Sequence, residues 1–329
     1  MSESNVIWQS QLNKARIAYD SLLTRFSDVL AGSDALKQVL KDFPVKITPY
    51  YLDLINKTGK TGPIAKQVLP SVAELEAVSG TSPDPLHETQ FMPVPGLLHK
   101  YSNRVLVLLT QTCAVHCRFC FRRHALKNNL KTMLPANLEK IADYIRVHKE
   151  VSEVILSGGD PLTLASEAID HTLRLFSGIP HIRTFRIHTK IPAVLPERIT
   201  KDLIEILSRY KTMWIVTHFN HPYELTSQVI EVCAAMINHG LPLLNQTVLL
   251  KNVNDNVDTL RDLFLGLIQL RIKPYYLHLL DAVAGASHFG VEEMKAVNLL
   301  KMLNKNLPGY AVPVLVKEIP GRSGKTPIF

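Results

Sequence analysis

Three of the chain's four cysteines fall in one short stretch, Cys113-Ala-Val-His-Cys117-Arg-Phe-Cys120. Thiolates this close together are soft ligands for a soft metal centre. A four-iron cluster held by three cysteines keeps one iron open to a further ligand. A structural zinc site is the alternative, with His116 or His124 as its fourth ligand. A disulfide framework is excluded by the tight spacing. A second group is Ser157-Gly158-Gly159-Asp160-Pro161, where paired glycines permit close backbone approach and Asp160 offers a carboxylate to an ammonium. Taken alone it also reads as a loop with a turn-forming Asp. The third group is the tail from Glu318 to Phe329, with Lys325 in a loop of small residues. Such a lysine is either a solvated surface residue or a Schiff-base former.

These residues need a scaffold, and the sequence supplies one. Short apolar, β-branched runs occur at 104–110, 153–159, 184–189, 213–219, 243–250 and 274–280. Helical-period segments follow at 137–149, 166–176, 196–210, 225–239, 257–270 and 291–306. Alternation of this kind indicates a parallel sheet covered by helices: an α/β fold, read as a partial (β/α)6 TIM-like barrel, with a doubly wound open sheet as the alternative. Ligands gather at the C-terminal ends of such strands, where Cys113, Gly158 to Asp160, His188, Lys190, His218, Gln246 and Asp281 all fall. Residues 1–96 read as an α-helical N-terminal extension and residues 97–329 as the barrel domain with its C-terminal lysine loop. Helical pieces are expected at 10–30, at 36–42 and from Pro49 and Gly62, and an irregular Pro-rich connection wraps the barrel from Ser79 to Gly96.

Composition bounds the function. With 329 residues, 46% of them hydrophobic, the chain can bury a large core, which excludes wholesale disorder. It has no long uncharged apolar run and its start lacks a signal-peptide layout, so a cytoplasmic location with no membrane partner is expected. The net charge of +8 fits anionic ligands or a nucleic acid equally well.

The Cys-x3-Cys-x2-Cys motif after the first strand resembles the signature of the radical S-adenosylmethionine (SAM) superfamily, and Ser157 to Asp160 resembles its GGE-type motif. The likeness implies a [4Fe-4S] cluster on Cys113, Cys117 and Cys120, with its open iron on SAM, cleaved to a deoxyadenosyl radical. It also implies SAM contacts from Ser157, Gly158, Gly159, Asp160, His218 and Gln246. From about Pro49 to Phe329 the sequence is similar to the lysine 2,3-aminomutase family, whose second cofactor is pyridoxal 5′-phosphate. By that resemblance Lys325 is the catalytic, cofactor-binding lysine, and Lys100, Tyr101 and Arg104 contact the cofactor's phosphate and ring. Arg122 clamps the substrate carboxylate, and Asp281 and Glu318 bind the lysine ε-ammonium. Two departures stand out: Lys100 replaces an Arg, and Glu318 replaces an Asp.

The compact form, with Lys325 four residues from the end, resembles the bacterial members that supply β-lysine for modification of elongation factor P. This implies free lysine as substrate and a functional link to the factor and its β-lysine ligase. It also implies an electron donor such as flavodoxin or ferredoxin, and leaves an oligomer open. One rival is the same chemistry on arginine or glutamate, although acids at 281 and 318 would repel a glutamate side chain. The other is a zinc-stabilised, basic nucleic-acid-binding module using Arg118, Arg122, Arg123, Lys127 and Lys131, which leaves Ser157 to Asp160 and Lys325 idle and shows no aromatic stacking motif.

Overall fold

The computed structural model describes residues 3–127, 135–322 and 324–328. Nine strands form one sheet in which spatial order follows chain order. Strand β1 (Leu97–Tyr101) is antiparallel to β2 (Arg104–Thr110). From β2 onward β3 (Glu153–Gly158), β4 (Thr184–Thr189), β5 (Met213–Thr217), β6 (Leu243–Val248), β7 (Lys273–His278) and β8 (Val314–Lys317) are all parallel. Strand β9 (Thr326–Pro327) returns antiparallel to β8.

Each parallel step needs a crossover, and a helix is the usual one. Those helices are Pro135–Val147, Ser166–Ser177, Lys201–Ser208, Ser227–Asn238, Val257–Gln269 and Glu293–Asn306. Three of them start where side-chain capping dictates: Thr200, Thr226 and Asn256 accept the N–H of Leu203, Val229 and Thr259. The partial (β/α)6 barrel expected from the sequence is therefore present, followed by a seventh parallel strand. The sheet does not close, since among the described residues β1 and β9 are its edges. No helix of the described residues is long and apolar enough to cross a membrane.

The N-terminal region differs in detail from its sequence pattern. The helical span expected over 10–30 is two helices, Glu3–Lys14 and Tyr19–Arg25. Between them Ile17 donates its N–H to Val45 and Ala15 accepts from Ile47, so these backbone groups pair with a neighbouring segment instead of continuing a helix. Helices Asp34–Asp42 and Pro49–Thr58 follow, and Trp8, Phe26, Ile47 and Tyr51 join the same apolar core as the strands and crossover helices. The connection from Ser79 to Gly96 holds no α-helix, only the 3-10 turn Glu88–Phe91. It straps across the barrel mouth, with Ser82 N–H donating to Ala282 and Ala284 N–H to Ser82.

One buried network ties this N-terminal layer to the cysteine loop. Glu74 accepts from Arg118 and Arg123, both fixed in the loop that carries the cysteines. Arg118 also donates to the carbonyl of Phe43, and Arg123 to those of Arg118 and Gly285. The two guanidiniums are 0% and 4% exposed, so they depend on a single carboxylate. Replacing Glu74 with Ala should strand both charges, at a cost on the order of 3–5 kcal/mol. The expected result is a clearly lower thermal midpoint together with a lower iron content after cluster reconstitution; wild-type values of both would refute the tie.

Candidate active site

The site is a cavity of about 550 Å³ at the C-terminal ends of the strands. It gathers residues from every part of the sequence singled out above: Lys100, Tyr101, Arg104, Cys113, Cys117, Cys120, Arg122, Ser157 to Asp160, His218, Gln246, Asp281, Glu318 and Lys325 all line it. Alternate residues of each strand face inward, as the pleat requires. That geometry adds Ile155, Arg186, His188, Val248, Tyr276 and His278 to the wall.

At one end lies the cysteine loop, which leaves β2 and is held by close backbone contact. Gly158 has φ +124°, and a Cβ there would come within 2.3 Å of the Thr110 carbonyl oxygen. A Cβ on Gly159 would meet Thr112 O at 2.5 Å. The two glycines thus let the end of β3 lie directly on the residues that lead into Cys113. Gly159 N–H donates to Thr110 at 2.6 Å and Asp160 N–H to Thr112 at 2.9 Å. Burial among one another and nearby carboxylates pushes all three thiols up, Cys117 to about 12. A cationic metal centre would supply the charge that favours their thiolate forms, which fits a metal cluster.

Zinc fits poorly. Among the described residues no three His, Cys, Asp or Glu side chains converge on a point that a single ion could occupy. Neither proposed fourth ligand is among the residues that line the cavity with the cysteines. His116 stacks on Phe43 and bonds the Pro44 carbonyl at 2.8 Å, and His124 sits 3.0 Å from the Ala284 carbonyl. The basic patch of the nucleic-acid alternative also dissolves, because Arg118 and Arg123 are buried and the Arg122 side chain is only 11% exposed. Lys131 and the side chain of Lys127 lie outside the described residues.

Asp160 lines the cavity, but its carboxylate is largely engaged. Thr189 Oγ1 donates to it at 2.8 Å, Lys190 N–H at 2.7 Å and Leu162 N–H at 3.1 Å. Burial raises it to about 6 against these hydrogen bonds. Its visible work is to pin the ends of β3 and β4 together, leaving little capacity for the ammonium expected of it. His218 and Gln246 form a pair, Gln246 Nε2 lying 2.6 Å from His218 Nε2. Burial, reinforced by the charges of Lys190, Arg122 and Lys325, lowers His218 to about 3 and so keeps it neutral.

At the other end lies the tail. Lys325 Nζ is 2.9 Å from Glu318, which also holds Lys100 at 3.1 Å. Glu318 therefore faces two lysines of its own chain. Burial would raise its pKa, yet the two ammonium groups outweigh burial and lower it. Lys325 donates its backbone N–H to Tyr101 Oη, and a Cβ on Gly324 would lie 2.9 Å from the Tyr101 ring. Arg104 stacks on the other part of this wall, 3.9 Å from the Tyr101 ring centre. Arg186, bound to Glu153 at 2.6 Å, adds a further cation to the lining. A lysine against an aromatic ring, ringed by cations, fits an anionic aldehyde cofactor such as pyridoxal phosphate.

Asp281 is the odd member. It lies three residues beyond β7 rather than at its end, and among the described residues its carboxylate has no hydrogen bond or ion pair. Burial first, then the charge of Glu318, raises it to about 7. His188 and His278 each leave Nε2 buried without a partner, and burial lowers both well below the usual histidine range. His188 was visible in the sequence as a strand-end residue, but Arg186, Tyr276 and His278 were not assigned to the site. The period-2 alternation of β4 and β7 is the signal that would have found them.

A family model described as the radical SAM superfamily matches residues 107–264. The chain is 39% identical to the L-lysine 2,3-aminomutase of Clostridium subterminale, over 90% of this chain and 71% of that one. It is also 39% identical to the L-lysine 2,3-aminomutase of Escherichia coli K12, over 93% of this chain and 94% of that one. The L-lysine 2,3-aminomutase of Bacillus subtilis is 36% identical over 97% and 68% of the two chains. Among solved structures, Streptococcus suis SuiB bound to S-adenosylmethionine aligns with a TM-score of 0.49 at 16% identity, over 68% of this chain and 52% of that one.

Proposed function

The chain belongs to the L-lysine 2,3-aminomutase family of the radical SAM superfamily, and from that premise we propose that it converts α-lysine to β-lysine with pyridoxal phosphate as second cofactor. Radical SAM membership brings a [4Fe-4S] cluster and SAM, and membership of the aminomutase family makes the enzyme an isomerase. Cys113, Cys117 and Cys120 would hold the cluster. Ser157, Gly158, Gly159, His218 and Gln246 would face SAM, with Asp160 fixing the loop that presents them. Lys325 would hold pyridoxal phosphate, with Tyr101 against its ring and Lys100, Arg104 and Arg186 near its phosphate. When bound, that cofactor supplies an imine through which an amino group can migrate between neighbouring carbons.

The observation that carries the reading is the pairing of opposite charges across one cavity. The Arg122 guanidinium, held by Glu88 in the substrate-free chain, would receive an α-carboxylate, and Asp281 offers a half-buried carboxylate to a distal ammonium. A diamino acid satisfies both, whereas glutamate would set a second carboxylate against Asp281. The same cavity is also lined by apolar Leu98, Leu106, Phe119, Ile155, Val194 and Val248, which would disfavour water around a reacting substrate.

The test is direct. Anaerobically reconstituted, reduced protein incubated with lysine and SAM should yield β-lysine, and iron analysis should find a cluster and not stoichiometric zinc. Turnover of arginine or glutamate instead of lysine would overturn the substrate assignment. We further propose a cytoplasmic enzyme in which residues 1–96 brace a barrel of residues 97–329. Its β-lysine would pass to the ligase that modifies elongation factor P, with electrons arriving from a flavodoxin or ferredoxin. Loss of β-lysylated factor on deletion of the gene would support that role; unchanged modification would remove it.

A further inference from the structure

Arg122, the residue read above as the substrate clamp, is not free. Its Nε lies 2.9 Å and its Nη2 2.7 Å from the two oxygens of Glu88, and Nη1 reaches Ser157 Oγ and the Gly158 carbonyl at 3.3 Å each. The forked edge of the guanidinium, which matches one carboxylate, is thus filled by a carboxylate of this chain. Both side chains are mostly buried, 11% and 19% exposed, and both line the cavity.

Glu88 does not come from the barrel. It stands at the start of the 3-10 turn in the strap from Ser79 to Gly96, next to His87 in a left-handed conformation (φ 52°). The turn is folded around Asp84, which accepts the N–H of Glu88 at 3.0 Å and the hydroxyl of Thr89 at 3.0 Å. Thr89 and Gln90 beside it are exposed. The local structure therefore aims one side chain inward from a solvent-facing turn.

We infer that Glu88 is an internal stand-in for the substrate carboxylate, exchanged for it when substrate enters. Resting on the reading of Arg122 as the clamp, this makes Glu88 a specificity-determining residue. A bare guanidinium in the cavity would be costly, and the stand-in keeps it satisfied and correctly oriented. No covalent bond changes; one carboxylate replaces another on the same fork. A ligand that brings its own carboxylate can make the exchange, while an amine without one leaves the Glu88 pair in place. The apparent affinity for lysine is reduced by the fraction of molecules in which Glu88 holds the clamp.

The experiment compares Glu88→Gln with wild type, both carrying cluster and pyridoxal phosphate, without SAM or reductant so that nothing turns over. Binding of L-lysine and of 1,5-diaminopentane, its carboxylate-free counterpart, is read from the visible band of the bound cofactor. Gln keeps the shape of Glu88 but not its charge. The dissociation constant for lysine should fall roughly tenfold in the variant, while that for diaminopentane stays within about twofold and serves as the control for folding. Unchanged or weaker lysine binding would overturn the inference, as would parallel tightening of both ligands, which would mean that Glu88 only obstructs entry. Wild-type protein that binds no lysine at all would sink the reading of the pocket and this inference with it.

Discussion

Replacing Lys325 with Ala should abolish turnover and the visible band of bound pyridoxal phosphate while leaving the iron–sulfur absorbance unchanged. The separation follows from where the groups sit. Lys325 reaches the cavity from the tail, beside β9, and touches Glu318 and the wall formed by Tyr101. The cysteines arrive on the loop after β2 and are secured by Glu74, Gly158 and Gly159, and among the described residues Lys325 bonds instead to Glu318 and Tyr101. Loss of a nucleophilic lysine that anchors a cofactor removes the whole covalent route, so the expected fall in rate is on the order of 10³-fold or more. Folding should survive, because Glu318 keeps Lys100 as a partner when Lys325 is gone. Thermal unfolding, iron content and the cofactor band together make the test specific. An unchanged cofactor band, or normal turnover, would show that Lys325 does not hold the cofactor.

The residues legible in the sequence are those whose chemistry is packed into a few consecutive positions. Cys113 to Cys120 carry their meaning in their spacing, and Ser157 to Asp160 in the glycine pair. The structure refines the latter, since the glycines admit the chain's own Thr110 to Thr112 backbone. The six parallel strands from 104 to 278 were legible because short runs rich in apolar and β-branched residues alternate with helical-period segments, the pattern of a helix-covered parallel sheet. Strands β1, β8 and β9 were not. The first is polar toward its end, and the others span only four and two residues.

Inward-facing Arg186, Tyr276 and His278 escaped for a different reason. Alternation along a strand says which residues share a face, but not which face lines a cavity until the neighbouring strands are in place. Glu74 and Glu88 were invisible for a third reason: they act from irregular segments, far in sequence from Arg118, Arg123 and Arg122. Nothing local to residues 70–90 announces that a carboxylate there is the counterion of the cysteine loop.

Asp281→Asn should reverse the usual link between stability and function. In the wild-type protein burial and Glu318 raise Asp281 from an ordinary value of 3.8 to about 7. A carboxyl whose folded pKa is raised holds its proton longer in the folded state than in the unfolded one. Its stabilising contribution is complete below pH 4 or so and is lost as pH climbs through about 7, leaving an ionised, unpartnered carboxylate that costs a few kcal/mol at pH 8. Asn carries no such charge, so the substrate-free variant should unfold at a higher temperature than wild type at pH 8, and the gap should shrink toward pH 5. Binding should move the other way. Only the carboxylate form attracts the distal ammonium of lysine, so wild-type affinity for lysine should weaken as pH falls below about 7, approaching tenfold per unit. The variant should bind lysine on the order of 10²-fold more weakly and lose this pH dependence. Its affinity for norleucine, which keeps the α-carboxylate but lacks the ammonium, should barely change. A cavity that tolerates this unpaired charge pays in stability for selecting a cation. If the variant instead keeps both the wild-type preference for lysine over norleucine and its pH profile, Asp281 does not read the substrate side chain, and Glu318, released from Lys325, becomes the acid that does.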